Sequence, residues 1–85
     1  MQEKEKDSRT FPEIWATLTK GEKADASRQI IADGHTLSVQ TINAWANGKW
    51  KPRTLASRNG IAASMTKALG ISVTGRTLFP DDDNV

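Results

Sequence analysis

Amide and small apolar side chains follow one another along residues 38–47, which read Ser-Val-Gln-Thr-Ile-Asn-Ala-Trp-Ala-Asn. Glutamine and asparagine can each form two hydrogen bonds with adenine, and small apolar groups can contact the thymine methyl group. On a period of 3.6 residues, one face of this segment carries no long charged side chain. That face consists of Ser38, Val39, Gln40, Asn43, Ala44 and Asn47, with Thr41 beside it. The pattern predicts a helix that reads bases in the DNA major groove.

A basic, aromatic loop follows this helix directly, as Lys49-Trp50-Lys51-Pro52-Arg53. Lysine and arginine bind phosphate, so the loop could hold the DNA backbone. The charge around it is one-sided, because no Asp or Glu occurs between Gly34 and Phe79. The same block carries six cations, Lys49, Lys51, Arg53, Arg58, Lys67 and Arg76. Such a block is a candidate footprint for a polyanion, although ordinary surface lysine would give a similar composition.

The remaining residues of 38–47 predict how this helix is positioned. Ser38 can accept a hydrogen bond as its N-cap, and Gly48 can end the helix in the left-handed conformation. Ile42, Trp45 and Ala46 share the face opposite the amides, so we expect them to pack on the preceding helix. Leu37 should then cover the turn that joins the two helices.

The flanking segments also predict helices. Thr10-Phe11-Pro12-Glu13 is typical of a capping box, and the helix that it opens should extend to about Thr19. Its expected buried face is Phe11, Ile14, Trp15 and Leu18. Lys20-Gly21 is expected to end this helix. A second helix should run over 22–32, with apolar residues Ala24, Ile30, Ile31 and Ala32 and with Ala26 or Ser27 allowing another helix to approach closely. Asp33-Gly34 should end it, leaving a short connection at 35–37.

A fourth helix is expected from Arg53 or Thr54 to Leu69, with a possible kink at Asn59-Gly60 and a core face containing Leu55, Ile61, Ala62, Met65, Ala68 and Leu69. Ser72 should cap a last short turn carrying Val73, and Leu78-Phe79 should close the core. The sequence thus predicts an all-α fold, a compact bundle of four to five short helices containing a helix-turn-helix. We expect a flexible leader at 1–9, the helix-turn-helix domain at 10–80 and an acidic disordered tail at 81–85.

Several function classes find little support in the composition. Cysteine is absent and His35 is the only histidine, so we expect no metal site, cofactor, catalytic residue or small-molecule substrate. Asp81-Asp82-Asp83 is more typical of a solvated terminus than of a cation site. No signal peptide or membrane span is recognisable, so we expect a cytoplasmic protein without a membrane partner.

The run Leu37-(x4)-Ile42-(x2)-Trp45-(x)-Asn47-Gly48-Lys49-(x)-Lys51-Pro52-Arg53 resembles the lambda-repressor-like, or Cro-type, helix-turn-helix domain. Ala32 lies ten residues before Ile42, where that family has an alanine, and Leu78-Phe79-Pro80 is similar to the family's last helix. The resemblance covers roughly residues 28–80. It implies base contacts from Val39, Gln40 and Ala44, backbone contacts from Asn47, Lys49 and Lys51, and an Arg53 that reaches an adjacent minor groove.

Two positions depart from the family pattern. Thr36 stands where the family has its turn glycine, and the glycine present is Gly34. Arg28 matches the residue that opens the family's second helix, but here it lies within the helix. Its contact with phosphate would therefore depend on the length of its side chain.

Three function classes remain open. The first is a sequence-specific regulator that binds double-stranded DNA, with a homodimer on a palindromic site. The second is a protein-interaction module that uses the same scaffold, through Val39, Ala44 and Trp50. The third, an enzyme, lacks a catalytic constellation. Trp50 itself is expected to anchor the loop on the core, or else to form an exposed dimer contact.

Overall fold

The computed structural model describes residues 7–80, which form five helices and no strand. The helices are α1 (Phe11–Thr17), α2 (Lys20–Ala32), α3 (Val39–Ala46), α4 (Leu55–Leu69) and α5 (Gly75–Leu78). The longest, α4, packs against α2 on one side and α5 on another, while α1 packs against α3. The prediction of an all-α bundle is confirmed. Among these five helices, none has the length and apolar character that crossing a membrane requires.

Local capping chemistry sets the beginning of both α1 and α2. The Thr10 amide donates to Glu13 Oε1 at 2.8 Å, as the predicted capping box requires. A second capping box opens α2, where the Thr19 amide donates to Glu22 Oε1 at 2.8 Å and the Glu22 amide donates to Thr19 Oγ1 at 3.2 Å. The predicted break at Lys20-Gly21 is therefore wrong, because both residues belong to the first turn of α2.

The core draws on all five helices. Its fully buried large side chains are Phe11, Ile14, Ile30, Ile42, Ile61, Met65 and Leu78. Several apolar residues expected inside lie outside: Leu37 is 93% exposed and Leu55 42% exposed. Ala24 and Ala32 are also exposed. Leu37 therefore does not cover the turn. Ala26 and Ser27 are both buried, as expected for small residues that allow close helix approach.

The connection between α2 and α3 reverses the chain at Gly34, whose φ of 84° is favourable only for glycine. The Gly34 amide donates to the Ile31 carbonyl at 3.0 Å and the His35 amide to the Ile30 carbonyl at 3.2 Å, which completes a Schellman end for α2. Thr36 takes no left-handed conformation; its hydroxyl accepts from the Ser38 amide at 3.3 Å. The reversal is thus made two residues before the position at which the resembled family has glycine.

Polar contacts fasten this connection to α4. The Asp33 carboxylate accepts from the Ser64 hydroxyl and, at 3.1 Å, from Gln29 Nε2, and Lys67 Nζ lies 3.7 Å from it. These hydrogen bonds, with Lys67 nearby, lower the pKa of Asp33. The His35 ring lies over Gly60 so closely that a Cβ there would collide with it. α4 passes through Asn59-Gly60 as one continuous helix, so this glycine makes room for His35.

The C-terminal part of the described chain closes the core. Thr74, not the predicted Ser72, caps α5, and its Oγ1 accepts from the Thr77 amide at 3.3 Å. Leu78 and Phe79 are buried, as predicted. Residues 7–9 lie against this region, since the Asp7 amide donates to the Ser72 carbonyl at 2.6 Å. The predicted leader up to residue 6 and the predicted tail at 81–85 lie outside the described residues.

Candidate nucleic-acid interface

Helix α3 has the bounds that its capping residues predict. Ser38 Oγ accepts from the Gln40 amide at 3.0 Å, which satisfies one of the free amides of the first turn. At the other end, Gly48 has a φ of 75°. The Gly48 amide donates to the Trp45 carbonyl at 3.1 Å and the Lys49 amide to the Ala44 carbonyl at 3.0 Å. This Schellman end turns the chain directly into the basic loop.

An aromatic cluster fixes α3 in the bundle. The Trp45 ring meets Phe11 edge to face at 6.0 Å and Phe79 at 5.9 Å between centroids, while Phe11 and Phe79 stack at 5.3 Å. Edge-to-face and offset-stacked arrangements are the favourable geometries for aromatic pairs. Trp15 adds a fourth ring, stacked on Phe11 at 5.0 Å. The predicted roles of Trp15 and Trp45 in the core are confirmed.

The neighbour of α3 differs from the expected one. Ile42 and Trp45 were expected to pack on α2, but the principal helix against α3 is α1. An open groove of about 370 Å³ lies between α2 and α3. It is lined by Trp15, Lys23, Ala24, Ser27, Arg28, Ile31, Val39 and Asn43. The cause is the aromatic cluster, which draws α3 towards Phe11 and Phe79.

The outward face of α3 presents most of the residues that were predicted to contact DNA. Gln40, Asn43 and Asn47 are exposed, and Val39 is 49% exposed. Ser38, Thr41 and Ala44 are half-buried, so they lie at the margins of this face. No acidic residue occurs in α3. The exposed part of the helix can therefore offer amide hydrogen bonds and one apolar contact to a ligand.

The basic loop at 49–53 is exposed along most of its length. Lys49, Lys51 and Arg53 are all exposed, whereas Pro52 is half-buried. Trp50 is 65% exposed, so the prediction that it anchors the loop on the core is wrong. It lies instead beside a groove of about 230 Å³ whose lining includes Pro12, Trp45, Leu78 and Phe79.

Long-range hydrogen bonds hold this loop although it has no regular structure. Arg58 donates through Nε to the Pro52 carbonyl at 2.7 Å and through Nη1 to the Phe79 carbonyl at 3.2 Å. Lys51 Nζ donates to the Pro80 carbonyl at 2.6 Å. The loop is thus fastened both to α4 and to the end of the described chain. Sequence reasoning gave Arg58 no structural role, since its partners lie 6 and 21 residues away.

Among the described residues, the acidic side chains all have partners, whereas several basic side chains do not. Every carboxylate among residues 7–80 has a partner: Asp7 has Arg9, Glu13 the Thr10 amide, Glu22 the Thr19 amide, Asp25 has Arg28, and Asp33 has Ser64. Hydrogen bonds from the Arg9 side chain lower the pKa of Asp7 to about 2. By contrast, Lys20, Lys23, Lys49, Arg53 and Arg76 form no ion pair or side-chain hydrogen bond within residues 7–80.

Arg28 differs from the other candidates for phosphate binding. It lies within α2, with its side chain 73% exposed, and its guanidinium is 3.2 Å from Asp25. A surface ion pair of this kind contributes little to stability and can be exchanged for another partner. Arg28 also borders the groove between α2 and α3, so the structure places it next to Val39 and Asn43.

Within residues 7–80, no three His, Asp or Glu side chains converge as they would around a metal ion. The arrangement instead joins an amide-bearing helix face to a loop of exposed cations. Comparison with protein-family models, curated proteins and solved structures finds no match to this chain.

Proposed function

We propose that this protein is a sequence-specific regulator that binds double-stranded DNA in the cytoplasm, with α3 in the major groove. In this proposal, α2, the connection 33–38 and α3 act as a helix-turn-helix of the lambda-repressor-like kind, and the basic loop contacts the backbone. A homodimer would place two copies of α3 on a palindromic site. The DNA-binding set is Arg28, Ser38, Val39, Gln40, Thr41, Asn43, Ala44, Asn47, Lys49, Lys51 and Arg53.

The observation that carries the proposal is the exposed face of α3. A helix has the right diameter for the major groove, which is about 12 Å wide. Gln40, Asn43 and Asn47 are exposed on a helix free of carboxylates, and exposed Lys49 follows immediately. A helix surface that met only water would have no reason to exclude Glu and Asp. One that faces phosphate does, because a carboxylate there is repelled.

The loop geometry supports backbone binding in a second way. Since Arg58 bonds the Pro52 carbonyl and Lys51 bonds the Pro80 carbonyl, the backbone of the loop needs little ordering when its cations bind. Lys51 already donates a hydrogen bond from Nζ to the Pro80 carbonyl. Lys49 therefore serves as the better probe of phosphate contact, since it is exposed at the end of α3.

Selection of bound sequences from a random duplex library tests the proposal directly. Enrichment of a palindrome is expected for a homodimer that reads bases; a library that emerges without any enriched sequence would refute sequence-specific binding. Lys49→Ala should then weaken binding to all sequences about equally and reduce the slope of log affinity against log salt by roughly one unit. Lys67→Ala is the matched control, because Lys67 lies beside Asp33.

One observation favours a second candidate function, a protein-interaction module. The groove between α2 and α3 is largely apolar, and Val39 and Ile31 line it. The substitution Val39→Ala, which widens this groove, distinguishes DNA binding from protein binding. A DNA reader should change its base preference, whereas a protein-binding module should show no salt-dependent affinity for duplex DNA in either form.

A further inference from the structure

A cleft of about 410 Å³ lies between the beginning of α4 and α5. Three arginines line it, Arg53, Arg58 and Arg76, together with Leu55, Phe79 and Pro80. The residues come from the basic loop, α4, α5 and the end of the described chain. We call it the arginine cleft.

Close packing of α5 on α4 builds this cleft. A Cβ on Gly75 would lie 2.5 Å from the Arg58 carbonyl carbon and from the Asn59 amide nitrogen, so only glycine permits the approach. Arg76 follows Gly75 and is thereby brought to the same cleft as Arg58. Arg58 in turn bonds the Pro52 and Phe79 carbonyls, which fixes two walls relative to each other.

The charge of the cleft indicates an anionic occupant. Neither Arg53 nor Arg76 forms an ion pair or side-chain hydrogen bond with another described residue, and no carboxylate from residues 7–80 lines the cleft. Gathering guanidinium groups around one depression is unfavourable in the absence of an anion. The planar fork of arginine matches phosphate, to which it can donate two parallel hydrogen bonds.

The position of the cleft identifies the source of that phosphate. Arg53 lines both the arginine cleft and a depression of about 360 Å³ that it shares with Trp50 and Lys51. The cationic surface therefore continues from the end of α3, through the basic loop, to Arg76. We propose that the arginine cleft is a second phosphate-binding site, which holds the DNA backbone beyond the base pairs that α3 contacts. This inference rests on the proposed function and adds Arg76 to its DNA-binding residues.

Arg76→Gln tests the inference on the full chain and the selected duplex with long flanks. It is expected to weaken binding about three- to five-fold, the upper part of the range for a solvent-exposed ion pair, and to reduce the salt slope by about 0.9. Arg76→Lys should restore most of the affinity, because it keeps the charge. Trimming the duplex to the base pairs that α3 contacts should remove the difference between parent and Arg76→Gln, since the flanking phosphates are gone.

Lys67→Gln is the matched control for net charge. Lys67 is nine residues from Arg58 on the same helix, about 14 Å along its axis, and its variant should bind within two-fold of the parent. Equal effects of Lys67→Gln and Arg76→Gln would overturn the inference, as would an Arg76→Gln protein that binds like the parent on the long duplex. A parent that binds no duplex at all would overturn the proposed function instead.

The sequence contains another source of anions, because Asp81-Asp82-Asp83 follows Pro80. Replacing all three aspartates with Asn shows whether the anion in the cleft is DNA phosphate or this acidic segment. If phosphate is the occupant, Arg76→Gln weakens DNA binding in this background as in the parent. If Arg76→Gln strengthens DNA binding in the parent and has no effect in the Asn background, the cleft holds the acidic segment and the inference is wrong.

Discussion

Replacing Trp45 with alanine should remove the part of the core that holds α3. The side chain is only 5% exposed, and it meets Phe11 and Phe79 edge to face at 6.0 Å and 5.9 Å. Large-to-small replacement of a buried tryptophan costs about 3–5 kcal/mol, because apolar burial is lost and a cavity remains. A chain of 85 residues has a total free energy of unfolding of about 4–13 kcal/mol at typical values per residue. The variant should therefore be close to unfolding.

Urea denaturation followed by circular dichroism measures this loss. With an m-value of about 1 kcal/mol per molar urea for a small domain, a loss of 3 kcal/mol lowers the midpoint by about 3 M. Trp50→Ala is the matched control, since the same substitution at a side chain that is 65% exposed leaves no cavity. Its midpoint should stay within about 0.5 M of the parent.

Trp45→Phe keeps the measurement possible if Trp45→Ala does not fold. The phenyl ring preserves one aromatic contact and part of the burial, so this variant should fold with an intermediate midpoint and retain DNA binding. The reasoning is refuted if Trp45→Ala and Trp50→Ala lower the midpoint by the same amount. It is equally refuted if Trp45→Ala has the midpoint of the parent.

Three further changes test separate parts of the structure. Gly75→Ala should cost about 1–3 kcal/mol, because the new Cβ would lie 2.5 Å from backbone atoms of α4 that cannot turn aside, and the melting temperature should fall by about 4 °C or more. Gly21→Ala has nothing within 4 Å of its Cβ, so it should leave the melting temperature unchanged or raise it; the opposite ranking would contradict the packing argument. Gln40→Ala should cost about 1–3 kcal/mol of binding on the selected sequence and relax one base position, as measured by repeating the selection. An unchanged profile would remove Gln40 from the residues that contact bases. Because the pKa of Asp7 is lowered to about 2, its contribution to stability is complete above about pH 5 and is lost as the pH falls towards 2; the pKa of Asp33 is also lowered, so its contribution is likewise lost on acidification. Asp7→Asn should flatten the fall in the free energy of unfolding across that range, and a curve as steep as the parent's would contradict the assignment.

Signals within a few residues of sequence account for what could be predicted of the fold. Thr10 with Glu13, Ser38 before α3, and the glycines after α2 and α3 each act through hydrogen bonds or dihedral angles that depend only on near neighbours. The break predicted at Gly21 missed a signal of the same local kind. Thr19 and Glu22 have the spacing of a capping box, and their two hydrogen bonds outweigh the low helix propensity of Gly21.

Burial and helix contacts depended on distant residues and were harder to predict. Leu37, Trp50 and Leu55 are apolar, but they lie in connections or at a helix start, where the bundle does not cover them. Phe11 and Phe79 are far apart in the sequence but stack on each other. The Trp45 ring packs edge to face against both, and this brings helix α3 into contact with α1. No local pattern around Trp45 encodes that choice.

The candidate site also has features that depend on near neighbours, which the sequence predicts, and features that depend on distant residues, which it does not. The exposed amides of α3 follow from its period and its caps. The role of Arg58, and the meeting of Arg53 with Arg76 at one cleft, depend on how α5 returns to the start of α4. Gly75 makes that return possible, but in the sequence it is a single glycine between Thr74 and Arg76, with no local sign of close packing. Only its distance from the α4 backbone shows that a side chain there would be excluded.

The stacking of Phe79 against Phe11 has a consequence for the order of events on the ribosome. Residues 11–46 emerge early, and they contain all of α1, α2 and α3. The ring that completes the support of Trp45 emerges only with Phe79, after all three of these helices. Domains generally fold as whole units during synthesis, so a nascent chain that stops before residue 79 should hold α3 without a fixed orientation. Prematurely terminated products would then carry all of α3 and still lack the fixed orientation that the proposed DNA binding requires.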